Sequence, residues 1–263
     1  MIARSADTGA LIDEALESCG ALARHMQGQT GMTPILAAML ALSPPLKAAD
    51  GASWVRSFPL DVHEFRVLGQ DYDPENPGRQ DKTYYRTIDD AGQSFIHGVY
   101  VPSTDSVTLF HEVPAQVRQG VRVMRWRWRA LALPRNGNEC VAGLGDSAAA
   151  VYVTWKRGLR WYSLKLAWSA EAPAGATCNV TRNPFVASDS MILRSGPPTG
   201  IWQEEEIEPD TLFRLHFEGG DPNAEVPELQ GIGILTDGDQ NHTVSAADYA
   251  GFVFYKQERT ASR

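Results

Sequence analysis

The chain has 263 residues, 43% of them apolar and 21% charged. That is an ordinary balance for a water-soluble chain able to bury a sizeable core, as one large β-sandwich or two small domains. Its 24 basic against 32 acidic side chains leave a formal charge of −8, which excludes general affinity for nucleic acid or an anionic membrane.

Residues 1–50 read differently from the rest. Residues 33–49 hold an apolar stretch ending in small residues, about a dozen long, too short to span a bilayer but suited to the apolar region of an export signal. The stretch before it is long for a signal's charged start and has no Lys or Arg just upstream. One repair is a translation start at Met26 or Met32. The alternative is a helical extension of a cytoplasmic protein, since residues 11–25 carry helical periodicity. Export predicts a periplasmic or secreted protein whose mature chain starts near residues 48–52.

Residues 51–256 read as a single domain followed by a polar tail, 257–263. Short runs rich in β-branched and aromatic residues recur at 62–68, 83–88, 95–101, 107–112, 121–133, 148–155 and 160–168, then at 189–194, 201–208, 230–236 and 249–256. Turn formers separate them: Asp73-Pro74-Glu75-Asn76-Pro77-Gly78, Asn136-Gly137-Asn138, Ser195-Gly196-Pro197-Pro198 and Asp237-Gly238-Asp239. One helical turn is expected at 210–217, N-capped by Asp210. The pattern predicts an all-β fold, an antiparallel two-sheet sandwich of jelly-roll type.

Val123-Met124-Arg125-Trp126-Arg127-Trp128-Arg129 alternates most clearly. Met124, Trp126 and Trp128 share a core face, and Arg125, Arg127 and Arg129 share the other. The Arg face is expected either to bind an anionic ligand such as an acidic glycan, with Trp161 and Lys165 extending the surface, or to pair with Glu204, Glu206 and Glu208 of a neighbouring strand. Cys140 and Cys178 remain when residues 1–50 are removed and are expected to form a disulfide; the alternative is two buried free thiols. Asp237, Asp239 and Asn241 alternate oxygen ligands, and with Asp248 in twelfth place they resemble a calcium loop. A plain Asp-Gly hairpin turn competes with that reading.

Catalytic signatures are sparse. The six histidines form no metal spacing, and no nucleophile elbow or phosphate loop is present. The run Glu204-Glu205-Glu206 with Glu208 reads as solvated carboxylates rather than a glycosidase pair. A polysaccharide lyase would use His97, Tyr100 and the Arg strand, but residues three apart on a regular strand face opposite ways. The expected function is therefore a non-catalytic ligand-binding module of the bacterial envelope. A lyase and a structural or partner-binding protein remain as alternatives.

Several motifs together carry a family resemblance: Trp126-Arg127-Trp128, Gly145-Asp146-Ser147-Ala148-Ala149 leading into Val151-Tyr152-Val153, Leu164-Lys165, Trp168-Ser169, and Arg194-Ser195-Gly196. Trp202 with Glu204, the stretch Gly231-Ile232-Gly233-Ile234-Leu235-Thr236-Asp237, and Ala247-Asp248-Tyr249-Ala250-Gly251-Phe252 complete the set. Over roughly residues 55–255 the chain resembles the domain-of-unknown-function 3047 family, found mostly in exported bacterial proteins. The resemblance implies the β fold and export, and no activity.

Overall fold

The computed structural model describes residues 55–68, 83–102 and 104–257. The expectations for residues 1–50, the turn at 73–78 and the tail after 257 fall outside the described residues. Strands form where apolar and polar side chains alternate or where β-branched residues cluster: β1 (Val55–Pro59), β2 (Arg66–Val67), β3 (Tyr85–Asp90), β4 (Gln93–Tyr100), β5 (Leu109–Glu112), β6 (Val121–Ala132) and β7 (Ala149–Arg157). They continue as β8 (Arg160–Ser169), β9 (Thr177–Arg182), β10 (Val186–Ser195), β11 (Gln203–Ile207), β12 (Glu228–Leu235) and β13 (Ser245–Gln257), with helix α1 (Pro209–Phe217) after β11. No helix among the described residues is long and apolar enough to cross a membrane.

The strands make two stacked sheets of a jelly-roll sandwich. One runs β11-β6-β13-β4-β3, with β1 paired to the later half of β13; the other runs β2-β5-β12-β7-β8-β10-β9. Met124, Trp126 and Trp128 of β6 are buried between the sheets with Val153, Trp155, Leu164, Leu166 and Trp168, the alternation read from β6 and β8. Trp128 meets Trp168 with ring centroids 5.9 Å apart.

Three details depart from the sequence reading. The sheets are not purely antiparallel, because β8 and β10 pair in parallel. The chain returns from β8 through β9, an edge strand antiparallel to β10, so β10 must run alongside β8 in the same direction. The segment expected as one strand at 62–68 is a 3-10 turn at Val62–Glu64 followed by β2. The N-cap position of α1 falls at Glu208 rather than Asp210: Pro209 stands in the first turn and Glu208 is extended, and its carboxylate makes no bond to a first-turn N–H but accepts from the Thr211 hydroxyl at 2.8 Å. Phe213 and Phe217 then pack on Trp155 and Tyr162, closing one end of the core.

β13 also changes face along its length. Ala247 and Tyr249 point into the core, yet so do Phe252 and Phe254, and the pairing with β6 slips between Ala250 and Val253. An extra residue in a strand reverses the side-chain parity, and Gly251 takes the positive φ of +66° that such a bulge needs. Asp248 is left on the outer face of the six-stranded sheet.

Candidate functional site

Arg125, Arg127 and Arg129 of β6 line the outer face of the six-stranded sheet, and each has a partner there. Glu206 stands opposite Arg125 in the register with β11 and accepts from its Nε at 2.5 Å. Arg129 donates through Nε to Asp248 Oδ2 at 2.5 Å. Arg127, opposite Glu204, donates to the neutral Gln93 side chain at 2.7 Å and lies over Trp202. The remaining acidic residues of this run divide between faces. Glu205 turns inward to accept from Trp128 Nε1 and from Arg194, and Glu208 leaves the strand to stand at the N-cap position of α1.

Trp161 and Lys165 do not extend this row. They sit on β8, on the outer face of the other sheet, so the sandwich core separates them from β6. The lyase pair also divides as the spacing predicts. His97 faces outward, whereas Tyr100 is 1% exposed and packs inward on Tyr84.

The proposed calcium loop is reorganised. Asp248 belongs to β13 and is committed to His97 and Arg129, because a strand starts at Ser245 and carries it away from the loop. Asn241 contributes its backbone N–H, donating to Asp146 Oδ2 at 2.7 Å. Asp146 takes its place, giving Asp146, Asp237 and Asp239 with carboxylate oxygens within 4.8 Å of one another. These oxygens are close enough to share a hard cation. They are also supplied with donors by the chain: Gln240 N and Asn241 N on Asp146, and the Ser106 hydroxyl on Asp237 at 2.6 Å. Burial raises Asp146 above the usual carboxylate range, and Asp237 and Asp239 push the same way against the two backbone donors.

Beside this cluster a groove of about 650 Å³ crosses the outer face of the seven-stranded sheet, a volume typical of small-ligand sites. Its floor comes from three adjacent strands. Tyr152 of β7 faces Lys165 of β8, which faces Ser190 of β10; Ser163 faces Ser188 one step along. One wall is the segment 141–145, and the other includes Asn179 and Thr181 of β9. Cys140 and Cys178 join these walls as a disulfide, with Cα atoms 5.1 Å apart.

Further bonds hold the walls in place. Asn179 Nδ2 donates to Glu139 O at 2.5 Å, Lys165 Nζ to Gly145 O at 3.1 Å, and Gly145 N to Gln240 Oε1 at 2.9 Å. Burial raises the Tyr152 hydroxyl above its ordinary range; Lys165 opposes that shift while Asp237 and Glu139 add to it. The hydroxyl therefore stays protonated, near one cation and two carboxylates. Trp161 stands two strand positions beyond Ser163 on the same face, 41% exposed, under Lys156 Nζ.

Residues 73–253 match the model of a family described as Protein of unknown function (DUF3047). A search of curated proteins finds no match. Among solved structures, the family 11 carbohydrate-binding module from Clostridium thermocellum, in complex with a β-1,3-1,4-mixed-linked tetrasaccharide, overlaps at TM-score 0.33 and 8% identity over 78% of this chain and 91% of its own. The xyloglucanase domain of NopAA, a type three effector from Sinorhizobium fredii, overlaps at TM-score 0.39 and 8% identity over 77% and 99%. Trichoderma harzianum endoglucanase 3, from family GH12, overlaps at 0.28 and 9% over 80% and 100%.

Proposed function

We propose that this chain, which belongs to the DUF3047 family, is a non-catalytic glycan-binding module whose ligand lies in the groove of the seven-stranded sheet. The observation that carries the reading is the groove itself: a floor of hydroxyl and ammonium groups on three strands between cross-linked walls, with Trp161 exposed in line with it. Fixed donors and acceptors at strand spacing suit a ligand rich in hydroxyl groups, and an exposed indole offers an apolar face for a sugar ring.

A glycan array probed with the purified protein, in calcium and in chelator, identifies the ligand and shows whether Asp146, Asp237 and Asp239 act through a cation. Titration of the best hit should then find affinity about 10-fold weaker in Lys165→Ala and in Trp161→Ala, a loss of about 1.4 kcal/mol each, with Arg125→Gln unchanged. Loss on Arg125→Gln with full affinity in both groove variants would overturn the assignment.

We also propose an envelope location, a reading supported by the apolar stretch at 33–49 and by a paired cysteine set, since disulfides persist in oxidising compartments. Mass spectrometry of protein from its native cell should find a start near residues 48–52. Intact Met1 in a cytosolic fraction contradicts export.

A further inference from the structure

A second cluster lies on the opposite side of the sandwich. The registers of β3, β4, β13 and β6 align Arg86, His97, Asp248 and Arg129 in one row across the outer face of the six-stranded sheet. Asp248 is 1% exposed, and both its oxygens are committed, Oδ1 to His97 Nδ1 and Oδ2 to Arg129 Nε, each at 2.5 Å.

A carboxylate only accepts, so Nδ1 carries a proton, and a ring holding no second proton presents Nε2 as an acceptor. Neither Nε2 nor the terminal nitrogens of Arg129 has a hydrogen-bond partner among the described residues, and none of these atoms is sealed from solvent. The Arg129 guanidinium is held in place, its Cζ 4.7 Å from the Trp202 ring and 5.6 Å from Phe95.

Within the row two guanidinium groups, on Arg86 and Arg129, stand against the one carboxylate of Asp248, and exposed Arg86 has no ion pair among the described residues. Arg127 rests on Gln93, and the registers put Glu204 beside Arg127 and Asp90 beside Gln93 on the same face. The excess of positive charge belongs to the row alone, on a chain of net charge −8.

We propose that the row binds a hydroxycarboxylate such as a sugar acid, the carboxylate seated on the open edge of Arg129 and a neighbouring hydroxyl donating to His97 Nε2. The planar guanidinium fork matches a carboxylate, and the acceptor beside it requires a donor, which a simple carboxylic acid anion lacks. The aromatic contacts leave little side-chain freedom to lose on binding. This site is independent of the groove, which lies on the other sheet.

The test titrates the wild-type protein near pH 8 with D-galacturonate, D-galactose and acetate, by calorimetry and by the NMR shift of the His97 ring. Galacturonate is expected to bind at least 10-fold more tightly than either of the others and to move the His97 resonance. Arg129→Lys, which keeps a charge for Asp248 but removes the fork, should weaken it about 10-fold, and His97→Phe by a similar factor. Arg86→Gln, an edge substitution away from the buried pair, should weaken it about threefold if the other variants fail to fold. Lys165→Ala should leave galacturonate affinity intact, so a failed groove and a failed row give different results. Equal affinity for acetate and galacturonate, no binding at 20 mM on the order of a weak subsite, or full affinity in Arg86→Gln would overturn the proposal.

Discussion

Replacing Asp248 with alanine is expected to cost about 3 kcal/mol, among the larger losses available from one side chain of this protein. Asp248 is almost wholly buried and is the shared acceptor for His97 and Arg129. Removing it leaves a guanidinium between Trp202 and Phe95 with no counter-charge and an imidazole N–H with no acceptor. Arg129 retains some exposure, so its terminal nitrogens keep part of their hydration, which places the cost at the lower end of the range for broken buried pairs. For a domain of this size the midpoint of thermal unfolding should fall by about 6–12 °C. Asp248→Asn should fall between the variant and the wild type, because one amide oxygen can still serve one of the two donors. A midpoint within 2 °C of wild type, roughly a single kcal/mol or less, would show that the row is solvated in solution.

Opening the Cys140–Cys178 bridge should cost a similar amount by a different route. The bridge spans 38 residues, and in the chain-entropy model a loop of that length is worth about 3–4 kcal/mol, most of it from restricting the unfolded chain. The double Cys→Ser variant, or the wild type in reductant, should unfold at a correspondingly lower temperature. Affinity in the groove should fall as well, because the cross-link holds the wall at 141–145 against β9. Peptide mapping without reductant settles the covalent question. Two free thiols, or a melting curve indifferent to reductant, would remove the bridge from the account.

The fold was legible where one sheet face is buried and the other is not. Trp126 and Trp128 alternating with arginines placed β6, and Leu164, Leu166 and Trp168 placed β8. β9 escaped because its side chains are mostly exposed or half-buried and show no alternation to read. Its absence from the reading hid the parallel pairing of β8 with β10.

The groove escaped for a related reason. Ser163, Lys165, Ser188 and Ser190 look like an ordinary solvated strand face until the register sets them side by side. Asp248 was read by counting along the chain from Asp237, but a strand start at Ser245 carries it to the other sheet. Trp161 and Lys165 were correctly placed on one face of one strand, though nothing local in sequence says which sheet that strand joins. The partners of the β6 arginines were half legible: alternation predicts Glu206, whereas the long-range contact to Asp248 has no local signal.

The pairing of β1 with the end of β13 has a consequence for chain routing. Val55 lies opposite Gln257 in an antiparallel ladder, and such partners have Cα atoms roughly 4.5–5.5 Å apart. The described part of the sandwich therefore begins and finishes at one doorway on the rim of the six-stranded sheet, away from both the groove and the Arg129 row. A host chain can enter and leave through that doorway with little detour, so the body can be spliced into a surface loop of another protein with both ligand faces still turned to solvent.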